Sequence, residues 1–377
     1  MPTMPPLSRR QWLGRAASLG LTLGTSIPPA LALSPRTLVF PRDHGSHPEL
    51  RTEWWYITGQ ARAAGQAWGF QITFFRSRVE ETQALRSAFA ARQLLFAHAA
   101  LCDVRSRLLH HDQRIARAGF GIAEAGEADT RLRLQDWTLA RTSTGTGSTD
   151  RYDTRIRGSG FSLALRFETP EPPLLQGRAG LSRKGPEPSQ ASYYYSRPQL
   201  HVSGTLELAG RRMDIDTPRE PGDNRAWLDH EWSQALMHPE AVGWDWIGMN
   251  LLDGGALTAF RLRRADGSAL WAGGSLRNAA GAVQVFGHDA VRFTPLRHWH
   301  SPASGARYPV QWQVDTPAGR FTVNALVDDQ ELDSSASTGA IYWEGLCSLH
   351  TQAGAARDAM AGQGYLEMTG YARPLQL

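Results

Sequence analysis

Cysteine is nearly missing from this chain of 377 residues: Cys102 and Cys347 stand alone and far apart. That excludes a disulfide framework, and there is no C-x-x-C pair to bind zinc or exchange electrons. The two are read as small buried side chains or as one long-range bridge. Clusters of positive charge are missing too. The formal net charge is +4, but Arg9, Arg10 and Arg15 lie within residues 1–32, which hold no acid, and without these three arginines the remainder carries +1. A near-neutral chain with no basic run lacks the electrostatic footprint of a nucleic-acid binder. Beyond the N-terminal stretch no segment approaches the length of apolar run that spans a bilayer, so no transmembrane span is expected in the mature chain. Catalytic signatures are equally scarce. There is no G-x-S-x-G elbow and no phosphate-binding loop. His230-Glu231 begins like H-E-x-x-H, but Gln234 stands where the second histidine belongs. His44 and His47 form an H-x-x-H ahead of a strand, short of the three or four converging ligands zinc requires. No metal and no cofactor are expected.

What is present is aromatic: 13 Trp, 9 Tyr and 13 Phe, within 41% hydrophobic and 20% charged residues. This composition supports a sizeable core, and rings of this kind suit a sheet surface or a cavity wall. The length corresponds to roughly two domains.

Residues 1–32 read as an address. Ser8-Arg9-Arg10-Gln11-Trp12-Leu13 precedes a mildly apolar run to Ile27, then Pro28-Pro29 and the small-residue site Ala30-Leu31-Ala32. Paired arginines, an apolar stretch and A-x-A describe a twin-arginine-type signal peptide, and the expected location is the periplasm. Thereafter alternation dominates. Trp68, Phe70, Ile72 and Phe74 share one strand face, and Phe161–Phe167 and Leu200–Leu208 alternate as cleanly. Further strands are expected at Trp244–Leu252, Ala256–Leu262, Val310–Val314 and Phe321–Val327, with turns at Asp253-Gly254-Gly255 and Asp266-Gly267 between them. Short strands at this spacing predict an all-β fold of barrels or sandwiches. One helix is expected, over about 83–92. The Pro- and Gly-rich residues 170–190 predict a functional loop or lid. Weak internal similarity, Glu53-Trp54-Trp55-Tyr56 against His230-Glu231-Trp232, suggests two copies of one β unit, with domains at 33–205 and 206–377.

Trp227-Leu228-Asp229-His230-Glu231-Trp232 is the densest chemical cluster. In a strand, Asp229 and Glu231 face one way while His230 and Trp232 face the other. Buried carboxyls beside indoles have raised pKa values and can act as acids, and His230 can position a proton. A buried polar network is the competing reading. Trp244-Asp245-Trp246 sets two indoles on one face, suited to cation–π attraction or to a long apolar ligand. Tyr194 faces away from Tyr193 and Tyr195, and Tyr342-Trp343-Glu344 repeats the pattern. Near the start, a loop closes a barrel end, with Arg51 and Glu53 expected to pair there.

These motifs, with Asp43-His44-Gly45 and Gly364-Tyr365-Leu366-Glu367, resemble the AttH-type lipocalin-like proteins, related to the carotenoid 1,2-hydratases, over about 36–377. The resemblance implies two lipocalin-like β-barrels packed together and a hydrophobic lipid or isoprenoid ligand. Members are often described as predicted secreted hydrolases, and some are encoded beside ABC-transporter permeases, which makes such a permease an expected partner. The family's enzymes add water to a terminal C=C bond. Here His230 and Trp232 match their His-x-Trp pair, while Phe260-Arg261-Leu262 replaces a Tyr-x-Asp pair on the next strand. The expected function is therefore ligand binding, with a hydratase-type or hydrolytic enzyme as alternative. For the enzyme, Asp229, His230, Glu231, Trp232 and Asp245 are the candidate catalytic residues. Glu53, Trp54, Trp55, Tyr56, Tyr194, Trp227, Trp244, Trp246, Tyr342, Trp343 and Glu344 are the candidate ligand contacts.

Overall fold

Alternating sequences such as Trp68–Phe74 become strands because one face of each can be buried. The computed structural model describes residues 33–143, 149–235, 237–352 and 358–375, and among these no α-helix occurs. Residues 1–32, read above as a signal peptide, lie outside the described residues. The strands form two antiparallel sheets, one of 14 strands and one of 10. The first is a nearly closed barrel and the second a half-barrel, matching two lipocalin-like barrels.

The first sheet holds the strands from Thr52–Ala63 to Arg225–Ser233, and the second those from Gly243–Leu251 to Met360–Thr369. The chain changes sheet between Ser233 and Gly243, later than a 205/206 boundary. The reason is pairing: Arg225–Ser233 lies between Thr52–Ala63 and Ala191–Leu208, with Trp54 opposite Glu231 and Tyr194 also opposite Glu231. Hairpins link neighbours. Ala64 and Gly65, with φ of 51° and 75°, make the two-residue turn whose twist matches the flanking strands.

Each sheet encloses its own core. Trp55, Phe70, Trp137, Tyr195 and Trp232 fill the first, and Trp312, Tyr308, Trp343 and Leu366 the second. A third apolar layer lies where the sheets meet, built from Tyr56, Trp227, Trp246, Phe260, Leu346 and Tyr365. The approach there is close. A Cβ on Gly69 would stand 2.9 Å from the Tyr365 hydroxyl and 3.2 Å from Leu346 Cβ, so this position tolerates no side chain. Polar ties add register: Gln199 donates its backbone N–H to Asn250 Oδ1 (2.7 Å), and Ser275 Oγ donates to Gln176 Oε1 (2.8 Å).

One expectation is corrected, and the two readings of the cysteines are decided. Residues 83–92 form no helix. A 3₁₀ turn, Glu80–Thr82, leads into a loop pinned by Gln83 Nε2 on the carbonyls of Val79 and Arg92, each 2.8 Å. The segment has helix-forming residues but no surface to bury a face against, and a helix this short is unstable alone. The cysteines form no bridge; both are free and buried. The expected strand starts at Trp244, Ala256 and Phe321 lie within one or two residues of the observed ones.

Candidate functional site: an acid-bearing apolar cavity between the sheets

The layer between the sheets opens into a cavity of about 310 Å³, within the range of small-molecule sites. The first sheet contributes Trp54, Tyr56, Phe75, Phe96, Tyr194, Asp229 and Glu231; the second contributes Trp244, Trp246, Phe260, Leu262, Tyr342, Glu344 and Glu367. Lys184 enters from the 170–190 segment. It is the only lysine in the chain.

Strand alternation decides which predicted residues meet here. On Arg225–Ser233 it turns Asp229 and Glu231 to the cavity and His230 and Trp232 into the first barrel's core. Trp54 and Tyr56 line the cavity, whereas Trp55 packs in the barrel. Glu53 touches the wall, but its carboxylate is bonded within the barrel. Tyr342 and Glu344 line it, whereas Trp343 belongs to the second core and donates to the Asp328 carbonyl (2.8 Å). Trp227 lies behind the wall, edge-on to Trp246 at 6.2 Å. Asp245 is outside the cavity: Arg261 Nε (2.7 Å), Arg263 Nε (3.2 Å) and the Tyr371 hydroxyl (2.8 Å) hold it. Leu262, which stands at the acid's place in the Tyr-x-Asp pattern, lines the cavity, while Arg261 beside it neutralises Asp245.

Asp229 accepts from Trp227 Nε1 (2.7 Å), from Ser196 Oγ and from the Tyr194 hydroxyl (2.7 Å). Trp246 Nε1 donates in turn to the Tyr194 oxygen (3.2 Å). Burial raises the Asp229 pKa to about 7, against the opposing pull of these hydrogen bonds and with help from the Glu231 charge. Glu231 is paired with Lys184 (3.0 Å) and bonded by Ser192 Oγ. The Lys184 ammonium lies 4.6 Å from the Tyr194 ring centre and 4.5 Å from that of Phe260.

On the opposite wall, Glu344 and Glu367 face each other across adjacent strands. Burial lifts Glu367 to about 8, and burial plus the Glu367 charge lifts Glu344 well above the ordinary range. At neutral pH this pair holds at least one proton. Among the described residues, the Tyr56 hydroxyl and Glu344 Oε2 are cavity-lining polar atoms that are buried without a partner. Both are free to meet a ligand.

Behind His230 lies a second cluster, at the closed end of the first barrel. Glu53 Oε1 accepts from His47 Nδ1 (2.8 Å) and His230 Nε2 (2.9 Å). Glu53 Oε2 accepts from Ser46 Oγ, the His47 backbone N–H and Arg76 Nε, each 2.9 Å. Arg76, rather than Arg51, is the ionic partner. Burial keeps His230 neutral, with a pKa of about 4, so its Nδ1 accepts from the Tyr195 hydroxyl (3.2 Å). Tyr195 in turn accepts from His44 Nδ1 (2.7 Å). His47, Glu53 and His230 offer ligand atoms within 4.8 Å of one another. Every one is already engaged, and Arg76 and Arg36 supply the positive charge on Glu53 and Asp43 that a metal would bring. The cluster therefore reads as a closed hydrogen-bond network, the competing reading for this motif.

Lys184, Glu367, Phe75 and Phe96 were not among the residues expected at the site. Lys184 had a signal, being the lone lysine, and Glu367 had another, lying two residues past Tyr365 on one strand face.

The raised acids predict an unusual stability profile. In the unfolded chain Asp229 and Glu367 ionise near pH 4; in the folded protein they keep their protons to about 7 and 8. The native state then binds more protons than the unfolded state, so these groups make stability fall as pH rises from about 4 to about 8. Glu367→Gln, which removes the titrating group, is expected to raise Tm at pH 8 by about 5 °C. It should change Tm little at pH 4.5. Thermal melts at the two pH values check this.

The fold and cavity define a double lipocalin-like β protein with an apolar, acid-bearing cavity. The chain belongs to the AttH-like family, whose model matches residues 31–371. The crystal structure of an AttH protein from Nitrosomonas europaea is 43% identical, with a TM-score of 0.80 over 90% of this chain and 99% of that one. Kievitone hydratase from Nectria haematococca is similar in fold, with a TM-score of 0.63 at 14% identity over 91% and 98% of the two chains. CghA gives a TM-score of 0.54 at 11% identity over 91% and 95%. No protein of curated function matches the sequence.

Proposed function

We propose that this protein binds an apolar, unsaturated ligand of lipid or isoprenoid type between its two sheets and hydrates it by acid–base catalysis. One observation carries the reading. Asp229 and Glu344, buried, and Glu367, partly buried, are carboxyls with raised pKa values in a cavity walled largely by aromatic rings. A carrier of apolar molecules gains nothing from this, because each buried acid costs stability at neutral pH. A proton donor and a base poised near pH 7 are what addition of water to an alkene requires.

In the proposed reaction Glu344 gives its proton from Oε2 to the less substituted carbon of a C=C bond. The cation left on the other carbon lies against the indoles of Trp54, Trp244 and Trp246, a contact worth roughly 0.5–2 kcal/mol. Water adds to that carbon and loses a proton to Asp229, and the product is a tertiary alcohol. The donor and the base stand on opposite walls. Lys184 pairs with Glu231 beside Asp229, and the Glu231 charge helps to keep Asp229 basic. His230 and Trp232 act from behind, fixing the strand that carries Asp229. The twin-arginine-type segment would direct this activity to the periplasm.

The test uses H₂¹⁸O. The full chain is incubated with a terminally unsaturated polyprene in detergent micelles, and products are analysed by mass spectrometry. Incorporation of one ¹⁸O into an alcohol is expected. A stoichiometric lipid recovered unchanged from the purified protein, with no incorporation, would overturn catalysis and leave a carrier.

A further inference from the structure

We infer that the end of the first barrel beside the cavity mouth docks on an anionic lipid bilayer. The observation is a built apolar tip in water. Phe89 is 77% exposed and Phe120 59% exposed, and their rings stack at 5.6 Å with 13° between planes. Leu85 and Ile122 are exposed beside them. Loose loops expose single hydrophobic residues without consequence, but this loop is tied in place. Arg117 donates from Nη1 to the Phe89 carbonyl (2.9 Å) and from Nη2 to those of Ala88 and Ala90 (3.2 Å each). The same guanidinium lies 4.5 Å from the centre of the Phe120 ring. Phe120 sits at φ 55°, a left-handed conformation rare for a bulky side chain, between two glycines that also have positive φ. Local strain and three hydrogen bonds thus hold two phenyl rings outward.

Placement and charge name the occupant. Arg51, Thr52 and Ser77 line the cavity at its exposed side, and Arg78 N donates to the Arg51 carbonyl (2.8 Å). The loop bearing Phe89 begins at the next residue, Val79, so the tip and the mouth lie at one end of the sheet. Arg78 is paired with Glu80 (2.7 Å). That leaves Arg51, Arg86, Arg92 and Arg117 against the exposed carboxylates Glu49 and Glu81 on this end, an excess of positive charge. Aromatic rings ringed by arginines fit the interface of an anionic membrane, where rings enter the headgroup layer and arginines meet phosphate. Docked so, the mouth faces the bilayer from which an apolar ligand would enter. That last clause rests on the ligand proposed above; the docking does not.

Co-sedimentation of the full chain with vesicles tests it. Binding to 3:1 phosphatidylcholine:phosphatidylglycerol is expected to exceed binding to phosphatidylcholine alone by about 5-fold and to weaken in 0.5 M salt, as surface attraction to anionic lipid predicts. Phe89→Ser with Phe120→Ser should reduce it by about 10-fold with an unchanged circular dichroism spectrum. The double variant should turn over detergent-solubilised substrate like the parent, which separates failure of docking from failure of catalysis. Equal vesicle binding by parent and double variant would overturn the inference. So would a parent dimer in sedimentation velocity that the two substitutions abolish, which would make a second copy the occupant.

Discussion

Glu344→Gln is expected to lower turnover by about 10³-fold while leaving ligand uptake intact, a loss of about 4 kcal/mol of transition-state stabilisation. Glutamine keeps the shape and the hydrogen-bonding ends of the side chain but has no proton to give. Uptake survives because the aromatic walls bind the ligand, and removal of a group that acts only in the transition state lowers kcat and kcat/KM together. Glu367→Gln tests the same site differently. Glu367 raises its neighbour by its charge, so neutralising it lowers the Glu344 pKa. The reaction needs Glu344 protonated. The alkaline limb of the pH–rate profile should therefore move to lower pH, with a smaller loss, about 10-fold at pH 7. A merely structural role for Glu367 would not move that limb. Unchanged turnover in Glu344→Gln would remove the acid from the mechanism and leave the cavity as a binding site alone.

Much of this site was legible in the chain, and the part that was not has a definite cause. Alternation along a strand separates Asp229 and Glu231 from His230 and Trp232, and Tyr194 from Tyr193 and Tyr195, as the structure has them. The same rule, applied further, removes residues that composition alone had brought in. If Trp244 and Trp246 face the cavity, Asp245 cannot, and Trp343 cannot if Tyr342 and Glu344 do. What alternation does not say is what each face meets. From Ala226 to Ser233 every residue is buried, because one face meets the barrel core and the other meets the second sheet. No hydropathy pattern distinguishes two buried faces. The cavity is made where sequence-distant strands meet, so Phe75 and Phe96 were unmarked, each reading as an ordinary strand residue. Lys184 comes from an irregular loop, where no periodicity exists to place a side chain. The expected helix at 83–92 failed for a related reason: local propensity favoured it, but the tertiary structure offered that segment no apolar surface.

The largest loss of stability is expected at Glu53, on the other face of the same strands. Its two oxygens accept from five donors, two of them imidazoles and one the Arg76 guanidinium. Burial works against its ionisation, but the hydrogen bonds of His230 and His47 and the Arg76 charge hold its carboxyl well below the usual range. Glu53→Gln removes that charge and turns an N–H₂ toward donors that need an acceptor. It strands Arg76, itself buried at 2% exposure, without its counter-ion. Breaking one side of a buried pair costs about 3–5 kcal/mol, because an uncompensated charge remains. Urea denaturation at pH 7 should register that loss, and Glu53→Gln with Arg76→Met should recover part of it by removing the stranded charge. The pH dependence has the opposite sign to that of the cavity acids. A depressed carboxyl contributes its full stabilisation above its unfolded pKa of about 4.5 and loses it as pH falls below. Wild-type protein should therefore weaken on both sides of about pH 5, through Glu53 and Asp43 in acid and through Glu344, Glu367 and Asp229 toward alkali. A loss under 1 kcal/mol for Glu53→Gln would mean that the barrel end is held by packing alone, and that His230 owes its orientation to Trp55 and Trp232 rather than to this carboxylate.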